Sequence, residues 1–300
     1  MNSTFLGYAR LARPANLPTA AADILAGVAI GGIFASGVTS DFLGSVLFTH
    51  ILCLMFSSVF LYAGGVILND VFDFKIDQVE RPERPIPSGV VPIAAATLYG
   101  SITLVIGILL AFLVSSISGG VAVALAMAIL LYDGIAKKYD FFGPLSMGLC
   151  RGINLLLGMS ILGDFNYWFM AIIPIVYIFA ITLISRGEVH GENKNHIVLA
   201  GVLYGMVILA VASIAFLYTD DLIFSLLFLV VFAFTVLRPL VKAHSVNSPE
   251  NIKKAVMAGV ISLILLDASV AVAFSDWWYG LIILALLPIS KGLSKLFAVT

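Results

Sequence analysis

What this chain has little of is charge: 11% of its 300 residues are Asp, Glu, Lys or Arg, while 61% are hydrophobic and the mean hydropathy is +1.10. Such a composition excludes an ordinary soluble globular domain and implies a membrane protein. The net charge of −1 favours no partner, because sixteen basic and seventeen acidic residues nearly cancel. Cysteine is scarce as well. Cys53 and Cys150 both sit in apolar stretches and read as small buried hydrophobes, which argues against a disulfide framework or a thiolate metal site. The N-terminus has a basic flank at Arg10 and Arg13, but the apolar run after it exceeds a signal peptide's core and lacks a clear A-x-A site. A retained first span is expected.

What is there, above all, is apolar segments of membrane-spanning length, which takes ~20 residues. They fall near 16–38, 46–69, 93–115, 120–136, 143–163, 167–187, 197–218, 222–240, 254–274 and 277–296. Pro288, Lys291 and Lys295 make the last either a span or an interfacial segment. Residues 91–132 hold no charge at all, and "SSISGG" (115–120) divides them into a helical hairpin. The expected fold is all-α, a polytopic bundle of nine or ten transmembrane helices with a cytoplasmic cap, forming a single integral-membrane domain over 1–300.

Alternating these helices from a cytoplasmic N-terminus places Arg10/Arg13, Lys75/Arg81/Arg84, Lys137/Lys138, Lys194, Lys242/Lys253/Lys254 and Lys291/Lys295 on one side. The opposite turns, "SGVTSD", "SSISGG", "GDFNYW", "YTDD" and "SDWW", contain no Lys or Arg. This positive-inside asymmetry turns two polar clusters, 69–89 and 186–196, toward the cytoplasm.

The first cluster, "NDVFDFKIDQVERPERPIPSG", packs five carboxylates and three cations into 69–89. If the second helix continues through residue 77, Asn69, Asp70, Asp73 and Asp77 share an arc of about 100°. Like charges so placed need a compensating cation. Oxygen donors without a His or Cys pattern favour a hard ion such as Mg²⁺ that keeps waters and bridges to phosphate. Asn69 and Asp77 stand roughly 12 Å apart along an ideal helix, too far for one ion, so either two ions bind or Asp77 does something else. Arg81 and Arg84 each precede a proline, which favours extended backbone and fixes two guanidinium forks suited to phosphate. The second cluster is weaker, with Glu188 and Glu192 at i,i+4 and His190 and His196 nearby. Lys137 and Lys138 could join the diphosphate or only anchor topology. Arg151, inside an apolar span, is expected to face an interior polar site. Asp23, Asp133 and Asp267 are further intramembrane acids, functional or paired.

The segment 69–89 resembles the first aspartate-rich motif, N-D-x-x-D-x-x-x-D followed by R-P-x-R-P-I-P-S-G, of the UbiA superfamily of intramembrane prenyltransferases. The resemblance implies transfer of a prenyl group from an isoprenyl diphosphate to a hydrophobic acceptor, aromatic or lipid-like, with Mg²⁺. Carried over by position, Asn69, Asp73 and Asp77 would hold metal and diphosphate, with Arg81 and Arg84 near the phosphates. Glu188 and Glu192 stand where the family's second motif has D-x-x-x-D, and are expected at the metal. Asp73, Asp77, Glu188 and Arg84 are the expected catalytic set. Tyr132, Lys137 and Tyr139 match the family's Tyr and Lys between the motifs, "CRGIN" offers Arg151 and Asn154, and "RPANLPTA" makes Arg13 and Asn16 cavity-rim residues. The implied setting is a bacterial inner membrane with the site facing the cytoplasm, and no nucleic-acid partner.

Two other readings compete with an enzyme. Transporters place their sites near the midplane on broken helices, whereas the charge here sits at the cytoplasmic ends. A non-catalytic isoprenoid-lipid-binding relative is suggested only by glutamates in the second motif.

Overall fold

The computed structural model describes residues 3–34, 45–188, 191, 193–219 and 222–297. These form helices with no strand among them: α1 (Ser3–Leu11), α2 (Leu17–Ile30), α3 (Val46–Phe72), α4 (Phe74–Glu80), α5 (Ile93–Phe112), α6 (Ser116–Gly134), α7 (Phe142–Met159), α8 (Ile172–Ser185), α9 (Lys194–Tyr218), α10 (Leu222–Ser245), α11 (Pro249–Val272), α12 (Trp277–Leu284) and α13 (Leu286–Leu296). Among the described residues, nine helical stretches are long and apolar enough to cross a membrane. The segment 277–296 is one of them, although it changes direction at Ala285. The first expected span is not: α2 has 14 residues, roughly 21 Å against a hydrocarbon core of ~30 Å. Residues 35–44 of that expectation lie outside the described residues.

Although short, α2 is the centre of the bundle. Every residue from Pro18 to Ile30 is buried, and the helix packs on α3, α7, α11 and α13. In lipid, helices associate through close packing rather than through a gain in apolar burial, so small residues at crossings decide how near backbones come. A Cβ on Gly27 would stand 2.3 Å from Leu155 O, and one on Gly158 would stand 2.4 Å from Ile24 O. The α2–α7 crossing therefore exists only with glycine on both sides. Outward faces carry bare apolar side chains such as Phe216, Ile223 and Phe234, as expected of surface turned to lipid.

Two local expectations are corrected. α6 begins at Ser116, so most of "SSISGG" is its first turn and not a break. Ser115 Oγ accepts from Ser118 N at 3.0 Å as the N-cap, and Gly119 leaves room for Phe112 of the preceding helix. The second correction concerns the acidic segment. α3 does not run through residue 77; it stops at Phe72, Asp73 adopts φ −86°, ψ 1°, and α4 starts afresh at Phe74.

Candidate functional site

A cavity of about 360 Å³ opens between α2, α3, α6, α7, α8 and α11. Its apolar wall includes Leu125, Ile129, Ile178, Ile181, Val256, Val260 and Leu263. Its polar lining gathers Arg13, Asn16, Thr19, Ser58, Asn69, Tyr132, Asp133, Arg151 and Asn154. Seven of the residues singled out from sequence thus line one chamber, although they come from four separate segments. Thr19, Ser58 and Tyr62, also in the lining, carried no signal in the sequence beyond lying in apolar spans.

The break at Asp73 divides the acidic segment into two jobs. Asp70, 6% exposed, turns away from the chamber and receives two guanidinium groups, Arg13 at 2.7 Å and Arg84 at 3.1 Å. Arg84 also reaches Asp77 Oδ2 at 2.7 Å, so both residues expected at metal and phosphate are instead occupied with one another. Burial holds the Asp77 carboxyl above the usual range, although Arg84 pulls it down. Asn69 and Asp73 lie toward the end of α6 instead, and of the two only Asn69 lines the chamber. Asn69 donates its amide to Asp133 Oδ1 at 2.6 Å, and Asp73 Oδ1 lies 2.6 Å from Lys137 Nζ, an ion pair without hydrogen-bond angles. Lys137 also stands over the Phe72 ring at 5.9 Å.

Arg13 is held in place by backbone strain. It is the one described non-glycine residue at positive φ (47°), a conformation costing ~1–3 kcal/mol that persists only where its surroundings hold it. Here the grip is the bond to Asp70, which aims the guanidinium at the chamber's edge.

The proline-containing arm after α4 is not extended. Arg84 N bonds Arg81 O, Ser88 N bonds Arg84 O and Val91 N bonds Pro85 O, closing a series of tight turns in which Gly89 supplies φ 77°. Buried Ile86 and Val91 pin the arm to Leu11, Ala12 and Ile67. Arg81 has no ion-pair partner among the described residues, and its field reaches Glu188 in the second loop. Burial pushes the Glu188 carboxyl up, while Arg81 and Lys253 lower it. Glu192 and His190 lie outside the described residues. His196 bonds Asn193, which ties the loop to Leu183 O and Ile184 O. Tyr139 is 56% exposed, packs on Phe142 and is not part of the chamber lining.

Deeper in the bundle, Arg151 and Asn154 belong to a buried network. Arg151 pairs with Asp23 at 3.2 Å, donates to Thr19 Oγ1 at 2.6 Å and faces the Tyr62 ring at 5.8 Å. Asn154 donates to Asp23 and accepts from Ser58. Asp23 Oδ1 and Asp267 Oδ2 find no donor, and the two carboxyl groups face each other.

Among the described residues, no three His, Cys, Asp or Glu side chains converge to hold a metal alone. A metal that relies on protein carboxylates and amides for only part of its shell, and on water and phosphate for the rest, fits these donors. The structure supplies one sign that a cation belongs there: the Lys137 ammonium already sits on Asp73.

Residues 24–186 match the model of the UbiA prenyltransferase family. Similar curated proteins include the digeranylgeranylglyceryl phosphate synthase of Methanococcoides burtonii, 38% identical over 157 residues, 52% of this chain and 55% of that one. The protein of the same name from Saccharolobus solfataricus is 25% identical over 225 residues, 68% of this chain and 79% of that one. The M. burtonii match thus spans about half the length of that relative. Among solved structures, a UbiA homolog from Archaeoglobus fulgidus bound to DMAPP and Mg²⁺ superposes with a TM-score of 0.65 at 14% identity, over 93% of this chain and 99% of that one. A digeranylgeranylglyceryl phosphate synthase superposes with a TM-score of 0.63 at 20% identity, over 91% and 99%. At these identities the likeness is one of fold.

Proposed function

The chain belongs to the UbiA prenyltransferase family, and from that membership we propose that this integral membrane protein transfers a prenyl group from an isoprenyl diphosphate to a hydrophobic acceptor, aromatic or lipid-like. The observation that carries the reading is the chamber itself, whose lining joins Asn69, Asp133, Arg13 and Arg151 to the apolar side chains of Leu125, Ile129, Ile178, Ile181 and Val260. A lipid diphosphate has the same division: an anionic head and a long apolar tail.

In this reading Asn69 and Asp73 would hold Mg²⁺, together with Glu188 of the second loop. A metal held there would supply positive charge against that growing on the departing diphosphate. Lys137 and Arg81 add fixed positive charge beside the same oxygens. The allylic C–O bond breaks with its electron pair leaving on the diphosphate, and the cation so formed is shielded from water by Leu125, Ile129 and Ile181. The ring faces of Tyr62 and Tyr132 offer it negative π density. The acceptor bonds to the allylic carbon and gives up its proton to a nearby base or to the displaced diphosphate. Arg13, Asn16, Arg151 and Asn154 orient the polar ends of the two substrates. Asp70, Asp77 and Arg84 brace the break in the helix and stay out of the chemistry.

The excess of Lys and Arg on one set of loops supports a cytoplasm-facing site. The family's relatives named for a prenylated glycerol phosphate support a lipid-like acceptor. The test is Mg²⁺-dependent diphosphate release from geranylgeranyl diphosphate by the purified protein, repeated with lipid extracts as acceptor. Asp73→Ala is expected to lose turnover; unchanged release would overturn the site.

A further inference from the structure

Asp133 is not part of either aspartate-rich segment, and nothing above gives it a chemical role. It ends α6, a helix that otherwise has no charged residue, and is 2% exposed while lining the chamber. A buried carboxylate at the end of a span is costly unless something compensates it. The compensation in the structure is incomplete. Asn69 donates one hydrogen bond to Oδ1, and Lys137, one turn further on, is already taken by Asp73. Among the described residues Oδ2 has no hydrogen-bond partner and is not among the fully enclosed orphan atoms, and its residue lines the chamber.

The bond from Asn69 has a second effect. An amide has two ends, and committing Nδ2 to Asp133 leaves Asn69 Oδ1 as a free acceptor beside the same carboxylate. Asp73 and Lys137 lie within electrostatic reach of Asp133. Arg13 is within the same reach, but its charge is met by Asp70 at 2.7 Å. What remains is two carboxylates, one amide oxygen and one ammonium, a net charge that still favours a dication. We infer that Asp133, from a third segment of the chain, supplies an oxygen donor to the divalent cation alongside Asn69 and Asp73, and that Lys137 turns from Asp73 to the diphosphate when the ion enters. The inference rests on the metal reading under the proposed function and adds a ligand to it.

The experiment uses the full-length protein in lipid nanodiscs, with Mn²⁺ as the metal and inorganic diphosphate as the anion, read by electron paramagnetic resonance. Asp133→Asn keeps an oxygen to accept from Asn69 and removes the charge. It is expected to weaken Mn²⁺ binding by about tenfold or more. Asp133→Glu keeps the charge at a longer reach, and is expected to bind Mn²⁺ with a changed spectrum, which also serves if the Asn variant does not fold. Wild-type affinity in Asp133→Asn, or a wild-type spectrum and affinity in Asp133→Glu, would overturn the inference and leave Asp133 as a group that only orients Asn69. Absence of Mn²⁺ binding by the folded wild-type protein would instead overturn the metal reading itself.

Discussion

Asp70 and Asp73 stand three residues apart in one acidic segment, and replacing each with asparagine is expected to damage the protein in different ways. Asp70 Oδ1 alone receives Arg13 and Arg84, at 2.7 Å and 3.1 Å. Without that carboxylate, Arg13 loses its one ion pair and Arg84 keeps only Asp77. Breaking one side of a buried pair costs ~3–5 kcal/mol. Here the arginine side chains are 32% and 20% exposed, so solvent recovers part of the loss. A destabilisation of about 2–3 kcal/mol follows. Asp73 is 23% exposed and meets one ammonium instead of two guanidinium groups, so its loss is smaller, about 1 kcal/mol, although Lys137 Nζ is left enclosed without a partner. At roughly 2–4 °C per kcal/mol, Asp70→Asn should melt some 4 to 12 °C lower, and Asp73→Asn about 2 to 4 °C lower. Tryptophan fluorescence during heating in detergent measures this, and diphosphate release is followed on the same preparations. Asp73→Asn should lose about a hundredfold or more in turnover, as when one preorganised group at a developing charge is removed. Equal melting shifts in the two variants, or full turnover in Asp73→Asn, would refute the division of the segment.

Other outcomes can be checked on the same protein. Gly27→Ala must push α2 off Leu155 O and is expected to cost ~1–3 kcal/mol or prevent folding, whereas Gly205→Ala, with open space around it, should leave melting and gel-filtration behaviour unchanged. Asp267→Asn should be tolerated, since its amide can donate to the unpartnered Asp23 Oδ1, while Arg151→Met leaves Asp23 without a counter-charge and should lower stability by ~3–5 kcal/mol in the same melting assay. Chelation with EDTA should abolish diphosphate release and added Mg²⁺ restore it; release that persists under chelation would count against metal dependence.

The legible part of this protein is what hydropathy and local spacing can encode. Transmembrane segments are read from composition because lipid demands long apolar helices with every backbone group bonded internally. The acidic segment and Arg151 stand out for the same reason, as charge in a place where charge is expensive. Spacing could also say that Asn69 and Asp77 were too far apart for one ion, but not what Asp77 does instead. That answer needs Arg84 folded back through tight turns, and the pair of prolines had suggested an extended arm.

Partners distant in the chain were decided by tertiary structure alone. Arg13 meets Asp70 across 57 residues, Asn69 meets Asp133 across 64, and Asn154 meets Asp23 across 131. Each of these charges or amides announces in the sequence that it must be satisfied, because the low-dielectric interior allows little else. Which group satisfies it depends on how the helices cross, and crossings are set by close contacts such as Gly27 against Leu155 that leave no periodic trace. The sequence by itself determined that an acidic face in need of compensating charge would stand at the end of a membrane helix. The packing of α2, α3, α6 and α7 decided that Asn69 looks into the chamber while Asp70 takes Arg13 and Arg84.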